Sequence, residues 1–137
     1  MQSLNKNLSP DRILRIAILS LLGIFLSLSL YAQSANSVKV KKGEDLFERR
    51  CTGCHRLDEV RVGPRLRNVF GRLAGSDAGF IYSENLKASR VKWDESTLDK
   101  WLTDTEGLVP DNDMAFRVAS AEERGAIIAY LKSVSAR

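Results

Sequence analysis

Cys51-Thr52-Gly53-Cys54-His55 decides how this chain is read. Two cysteines two residues apart, with histidine next, form the pattern that attaches haem covalently. The thiols add across the vinyl groups as thioethers, and the imidazole takes the iron from one side. The sequence has no other cysteine and no other histidine. Apart from the initiator, its one methionine is Met114, in Val109-Pro110-Asp111-Asn112-Asp113-Met114. A His/Met pair suits an electron-transfer iron, because the thioether favours the ferrous state. By itself the pentapeptide also allows a thiol redox pair or part of a zinc site. A tetrahedral zinc needs four ligands, and only three Cys/His side chains cluster here. A thioredoxin-like pair belongs in a βαβ pattern, and none is visible.

Upstream of the motif the chain changes character. Lys6, Arg12 and Arg15 precede an apolar run over 16–30, and small residues follow at Ala32, Ser34 and Ala35. That order is expected of a secretory signal peptide over 1–32, cut somewhere within 32–35. The competing reading is an uncleaved anchor, although the run of about 15 residues falls short of the ~20 that span a bilayer. Export makes disulfides accessible, but a loop this short gains little from closure. Haem is the better use of an exported CxxCH. The remaining domain, 36–137, is small for a self-sufficient core, and a bound macrocycle would stabilise it by linkage.

The formal charge of +4 is unevenly spread. Residues 33–75 hold 10 basic and 5 acidic side chains, whereas 76–137 hold 8 basic and 11 acidic ones. The balance gives a dipole without the footprint of a nucleic-acid binder. An ordinary solvated face explains the basic half equally well.

Periodicity points to helices only. A short helix is expected over 41–50, with Leu46 and Phe47 apolar. Residues 56–78 read as loop, and 82–88 as one or two helical turns. Residues 94–104 read as a helix with Asp94 near its N-cap and Leu98, Trp101 and Leu102 on one face. An irregular stretch, 105–118, carries Pro110 and Met114. The last helix starts near Ser120, where Ser120-Ala121-Glu122-Glu123 has capping-box spacing, and buries Ile127, Ile128, Tyr130, Leu131 and Val134. Loops this long argue against a compact domain unless they wrap a ligand.

The ordered set of motifs resembles the class I cytochromes c, the soluble mitochondrial and bacterial electron carriers. Besides the pentapeptide, it includes Gly63-Pro64-Arg65-Leu66, Val69-Phe70-Gly71-Arg72, Gly79-Phe80-Ile81-Tyr82-Ser83, Trp93, Val109-Pro110 through Met114, and Ile128-Ala129-Tyr130-Leu131-Lys132. The resemblance implies an all-α fold, with N- and C-terminal helices crossing and long loops wrapped around one covalent haem. It implies thioethers at Cys51 and Cys54, His55 as proximal and Met114 as distal iron ligand, and a hydrogen bond from the imidazole to the Pro64 carbonyl. Arg72, Tyr82 and Trp93 would surround the buried propionates; core packing is the plainer reading of the two aromatics. Gly43, Phe47, Ile127 and Tyr130 match the crossing of the first and last helices.

The chain departs from the family in places. Asp111-Asn112-Asp113 replaces the usual Gly-Thr-Lys, Trp101 stands where the aromatic near the methionine sulfur is often Tyr, and Leu86 stands at an Asn site. The lysine ring of the relatives is thin here, with Glu106, Gly107 and Asp113 at such positions, while Arg49, Arg50, Arg56, Arg61, Arg65 and Arg67 remain.

The function so implied is a monomeric one-electron shuttle in the periplasm, or on the outer face of the inner membrane if the N-terminal segment is retained. Its donor would be a quinol-oxidising complex or a dehydrogenase, and its acceptor an oxidase, reductase or peroxidase. No nucleic acid and no small-molecule substrate is expected. The rival is a haem enzyme or gas sensor with a labile sixth ligand.

Overall fold

The computed structural model describes residues 10–135. Lys6 and its neighbours, part of the expected export signal, lie outside the described residues. The chain divides into two compact units, Met1–Ser37 and Val38–Arg137.

The first unit is helical, in a single element that begins at Pro10. Proline suits a helix start, where its missing N–H has no partner to lose. Leu14, Ile16, Ile18, Leu19, Leu21 and Ile24 are exposed along it. Among the described residues, no helix is long and apolar enough to cross a membrane.

The second unit contains residues 38–50 of that element, helix α1 (Pro10–Arg50), followed by α2 (Glu84–Ala88), α3 (Glu95–Thr103), α4 (Thr105–Leu108) and α5 (Ala121–Ser133). The described residues are thus all-α, as the periodicity indicates. Two boundaries differ from the sequence reading. Helix α1 extends far upstream of 41, because no proline interrupts the chain between Pro10 and Arg50. A one-turn helix, α4, stands inside the stretch read as irregular.

Helices α1 and α5 meet at Gly43. A Cβ built there would lie 2.0 Å from the Ala126 carbonyl oxygen, so only glycine permits the approach. Four residues on, the rings of Phe47 and Tyr130 lie 5.3 Å apart, and Phe47 and Ile127 are fully buried. The exposed ion pairs Lys42–Glu122 and Arg50–Glu123 flank the contact. Glu123 therefore does not complete the expected capping box. Ser120 accepts from the Glu123 N–H at 3.3 Å, but the Glu123 carboxylate turns to Arg50. The reciprocal box occurs at α3, where Asp94 and Thr97 each accept the other's backbone N–H at 2.8 Å.

The loops are ordered by a few backbone bonds. The Leu66 and Arg67 N–H groups return to the Arg56 and Leu57 carbonyls. Ala74 and Trp93 donate to Val91 and Arg72, around a single antiparallel bridge between Leu73 and Lys92. These loops, with α3 and α5, leave an apolar hollow in the second unit.

Candidate functional site

Cys51 begins where α1 ends. Its N–H still donates to the Phe47 carbonyl at 2.8 Å, and its own carbonyl accepts from Cys54 and His55. This turn brings Cys51, Cys54 and His55 to one wall of a cavity of about 280 Å³. Met114 lies on the lining as well, with Pro64, Arg72, Tyr82, Trp93 and Trp101. All nine candidate residues thus border one space, although 63 positions separate Cys51 from Met114.

The imidazole is fixed from two sides. His55 Nδ1 lies 2.8 Å from the Pro64 carbonyl oxygen, which can only accept, so Nδ1 carries the proton. The lone pair is then on Nε2. Burial lowers the His55 pKa, with partial opposition from the bond to Pro64, so the ring is biased toward its neutral, ligating form. Gly63 packs against the ring face: a Cβ there would come within 2.3 Å of Cε1 and 2.8 Å of Nε2.

The thiols differ. Cys54 is exposed and Cys51 half-buried, and neither is in a disulfide. Burial pushes the Cys51 thiol up to about 11. A redox-active CxxC pair needs the opposite shift, toward thiolate. Among the described residues, no group of three or more His, Cys, Asp or Glu could hold a metal ion by itself.

Arg72 borders the cavity too. Its terminal nitrogen donates to the Arg65 carbonyl at 2.9 Å, but its Nε is buried and has no protein partner. A buried donor of this kind is costly unless something accepts from it. Tyr82 and Trp93 are buried beside it, and burial raises the Tyr82 pKa. The Trp93 and Trp101 rings pack at a tilt of 56° with centroids 5.3 Å apart. A void of this size is far above the water-sized gaps of an ordinary core. Its apolar walls, two thiols, one imidazole, one thioether and one orphaned cationic donor suit a macrocycle with acidic substituents.

The sequence reading missed three contributors. Gly63 appears there only as part of a motif, and its approach to the imidazole becomes visible in three dimensions. The Asp77 carboxylate is buried and takes two bonds from Arg65 and one from the Gly79 N–H. Arg65, the first of these partners, holds the Asp77 pKa down to about 2. Asn112 accepts the Met114 N–H at 2.8 Å. An Asn or Asp two residues ahead of its partner N–H is a readable turn signal, so Asn112 and the Asp77–Gly79 bond could have been found that way.

The family model for cytochrome c matches residues 40–135. Cytochrome c of Chlamydomonas reinhardtii is 39% identical over 69% of this chain and 88% of its own length. Cytochrome c2 iso-2 of Magnetospirillum fulvum is 42% identical over 61% of this chain and 91% of its own. Among solved structures, cytochrome cH from Methylobacterium extorquens superposes with a TM-score of 0.65 at 36% identity, covering 69% of this chain and 97% of that one. The fold, the pentapeptide at the cavity wall and these matches agree: the chain belongs to the cytochrome c family.

Proposed function

We propose that His55 and Met114 would hold the iron of the haem carried by this chain, with Arg72, Tyr82 and Trp93 around its acidic edge and Trp101 beside the thioether. The observation that carries this reading is the fixed imidazole, with Nδ1 committed to Pro64 and the Nε2 lone pair left for a metal, in a cavity that Met114 also lines. The protein is a single-haem, one-electron carrier, and Cys51 and Cys54 hold its haem covalently.

When bound, haem supplies an Fe(II)/Fe(III) couple. The rest falls to the polypeptide. Gly63 and Pro64 fix the imidazole plane, which limits the rearrangement that a change of charge demands. Phe80, Leu98, Leu102 and Ile127 wall the cavity and keep it largely dry. Arg72 offers a buried Nε–H to an acidic group. The cavity lining includes the exposed Cys54 and Val62, and with haem bound this edge would serve electron exchange.

The protein exchanges electrons with other redox proteins. Its donor is a quinol-oxidising complex or a dehydrogenase, its acceptor an oxidase, reductase or peroxidase, and it works as a monomer. The segment 1–32 directs export and is cut within 32–35, leaving 36–137 as the haem domain in the periplasm. Uncut, the segment would hold the domain on the outer face of the inner membrane. The basic n-region, the apolar run and the small residues after it support this placement.

Intact mass tests the attachment. Expressed with a periplasmic haem-attachment system and then denatured, the protein should weigh one haem more than its mature polypeptide. A Cys51→Ala, Cys54→Ala variant should weigh no more than its polypeptide. A wild-type mass equal to the bare chain would refute covalent attachment, and the N-terminal sequence of the same sample would expose a wrong cleavage site.

A further inference from the structure

The run Asp111-Asn112-Asp113, just ahead of Met114, sits in a clamp. Asn112 Oδ1 accepts the Met114 N–H at 2.8 Å. Its Nδ2 donates to the Val109 carbonyl at 2.9 Å and to Glu106 at 3.1 Å. The other Glu106 oxygen accepts the Asp111 N–H at 2.9 Å. The buried Thr105 hydroxyl donates to the Met114 carbonyl at 2.6 Å. From α2, Asn85 donates to the Pro110 carbonyl at 2.9 Å. One amide side chain thus ties the methionine backbone to both the start of its loop and α4.

We propose that Asn112 is a positioning residue for the sixth iron ligand, and that with Glu106 it sets how readily an added ligand displaces Met114. The proposal rests on Met114 being that ligand. For a competitor to reach the iron, the thioether must leave the cavity, and retreat of its backbone breaks the Asn112 bonds. Asn112 is half-buried and Glu106 exposed, so the amide contributes more than the carboxylate. Loss of bonds of ordinary net strength at Asn112 should raise the population of the open loop about tenfold, and loss of Glu106 about threefold.

Titration of the ferric holoprotein with imidazole reads this directly. Asn112→Ala should bind imidazole about tenfold more tightly than wild type, with weaker sulfur–iron absorption before imidazole is added. Met114→Ala should bind more tightly still. In the Met114→Ala background, adding Asn112→Ala should change nothing, because there is no thioether left to hold. An unchanged affinity in Asn112→Ala, beside a raised one in Met114→Ala, overturns the clamp while leaving the ligand assignment intact. An Asn112→Ala effect that persists without Met114 also overturns it. If Met114→Ala itself leaves the affinity unchanged, the ligand assignment fails first, and the clamp with it. Should Asn112→Ala yield no holoprotein, Glu106→Ala carries the test: about a threefold tightening supports the clamp, and none contradicts it.

Discussion

Between the His55 ring and the Pro64 carbonyl, one hydrogen bond fixes the tautomer, and Gly63 fixes the plane. A methyl group at Gly63 cannot fit without moving the ring or the loop. Gly63→Ala should therefore lower the yield of holoprotein and destabilise what forms by about 2–3 kcal/mol, as overpacked cores do; thermal unfolding of the ferrous protein measures it. Asp77 makes a second residue-level case. Its carboxyl is held down to about 2 by Arg65 first, then by the Gly79 N–H, against an ordinary value of 3.8. A carboxyl depressed in the folded state stabilises above its unfolded pKa and loses that contribution as the pH falls toward its folded one. Arg65 is nearly half exposed, so screening reduces the gain, to roughly 1–2 kcal/mol. Asp77→Asn should then be destabilised by about that amount at neutral pH, and the gap from wild type should close between about pH 4 and pH 2. Denaturant titrations across that range decide it, and a gap independent of pH would show that the pair contributes by packing alone.

Between elements, α1 and α5 approach each other closely at Gly43. Gly43→Ala would set a methyl against the Ala126 carbonyl and force α1 and α5 apart. We expect a loss of about 3 kcal/mol, seen as a lower denaturant midpoint with the slope unchanged. The helices themselves were legible in the sequence because each has a local cause. Leu98, Trp101 and Leu102 fall on one face of α3 and are buried, and Ile127, Ile128, Tyr130 and Leu131 do the same on α5. The cap partners were less legible. The Ser120 hydroxyl takes its N–H as spacing suggests, but Glu123 has a choice between that cap and Arg50, and only the approach of α1 decides it. Helix α4 escaped notice because four residues containing Gly107 have no measurable periodicity.

For the molecule as a whole, charge count and charge availability differ. Residues 33–75 carry a basic excess, yet Arg50, Arg65 and Arg67 are engaged by Glu123, Asp77 and Asp58. Arg50 and Asp113 both border the cavity, so opposite signs meet at its rim. Steering of a partner should therefore be weak, and the rate of reduction of an acidic oxidase should fall only shallowly with ionic strength. Stopped-flow rates over a salt series measure this, and a steep fall would contradict it. The haem pentapeptide was legible because its chemistry is written in residue type, and Met114 lines the same cavity. The Arg65–Asp77 pair was not, because its members lie 12 positions apart in loops without periodicity. In the proposed haem site, one cavity offers nitrogen from His55 and sulfur from Met114 to a single iron. Oxidised and reduced absorption spectra of wild type and Met114→Ala, compared as holoproteins, decide the matter. The long-wavelength band of sulfur on ferric iron should be present in the wild type and absent from the variant, with the thioether-linked haem retained in both; identical spectra would contradict the assignment.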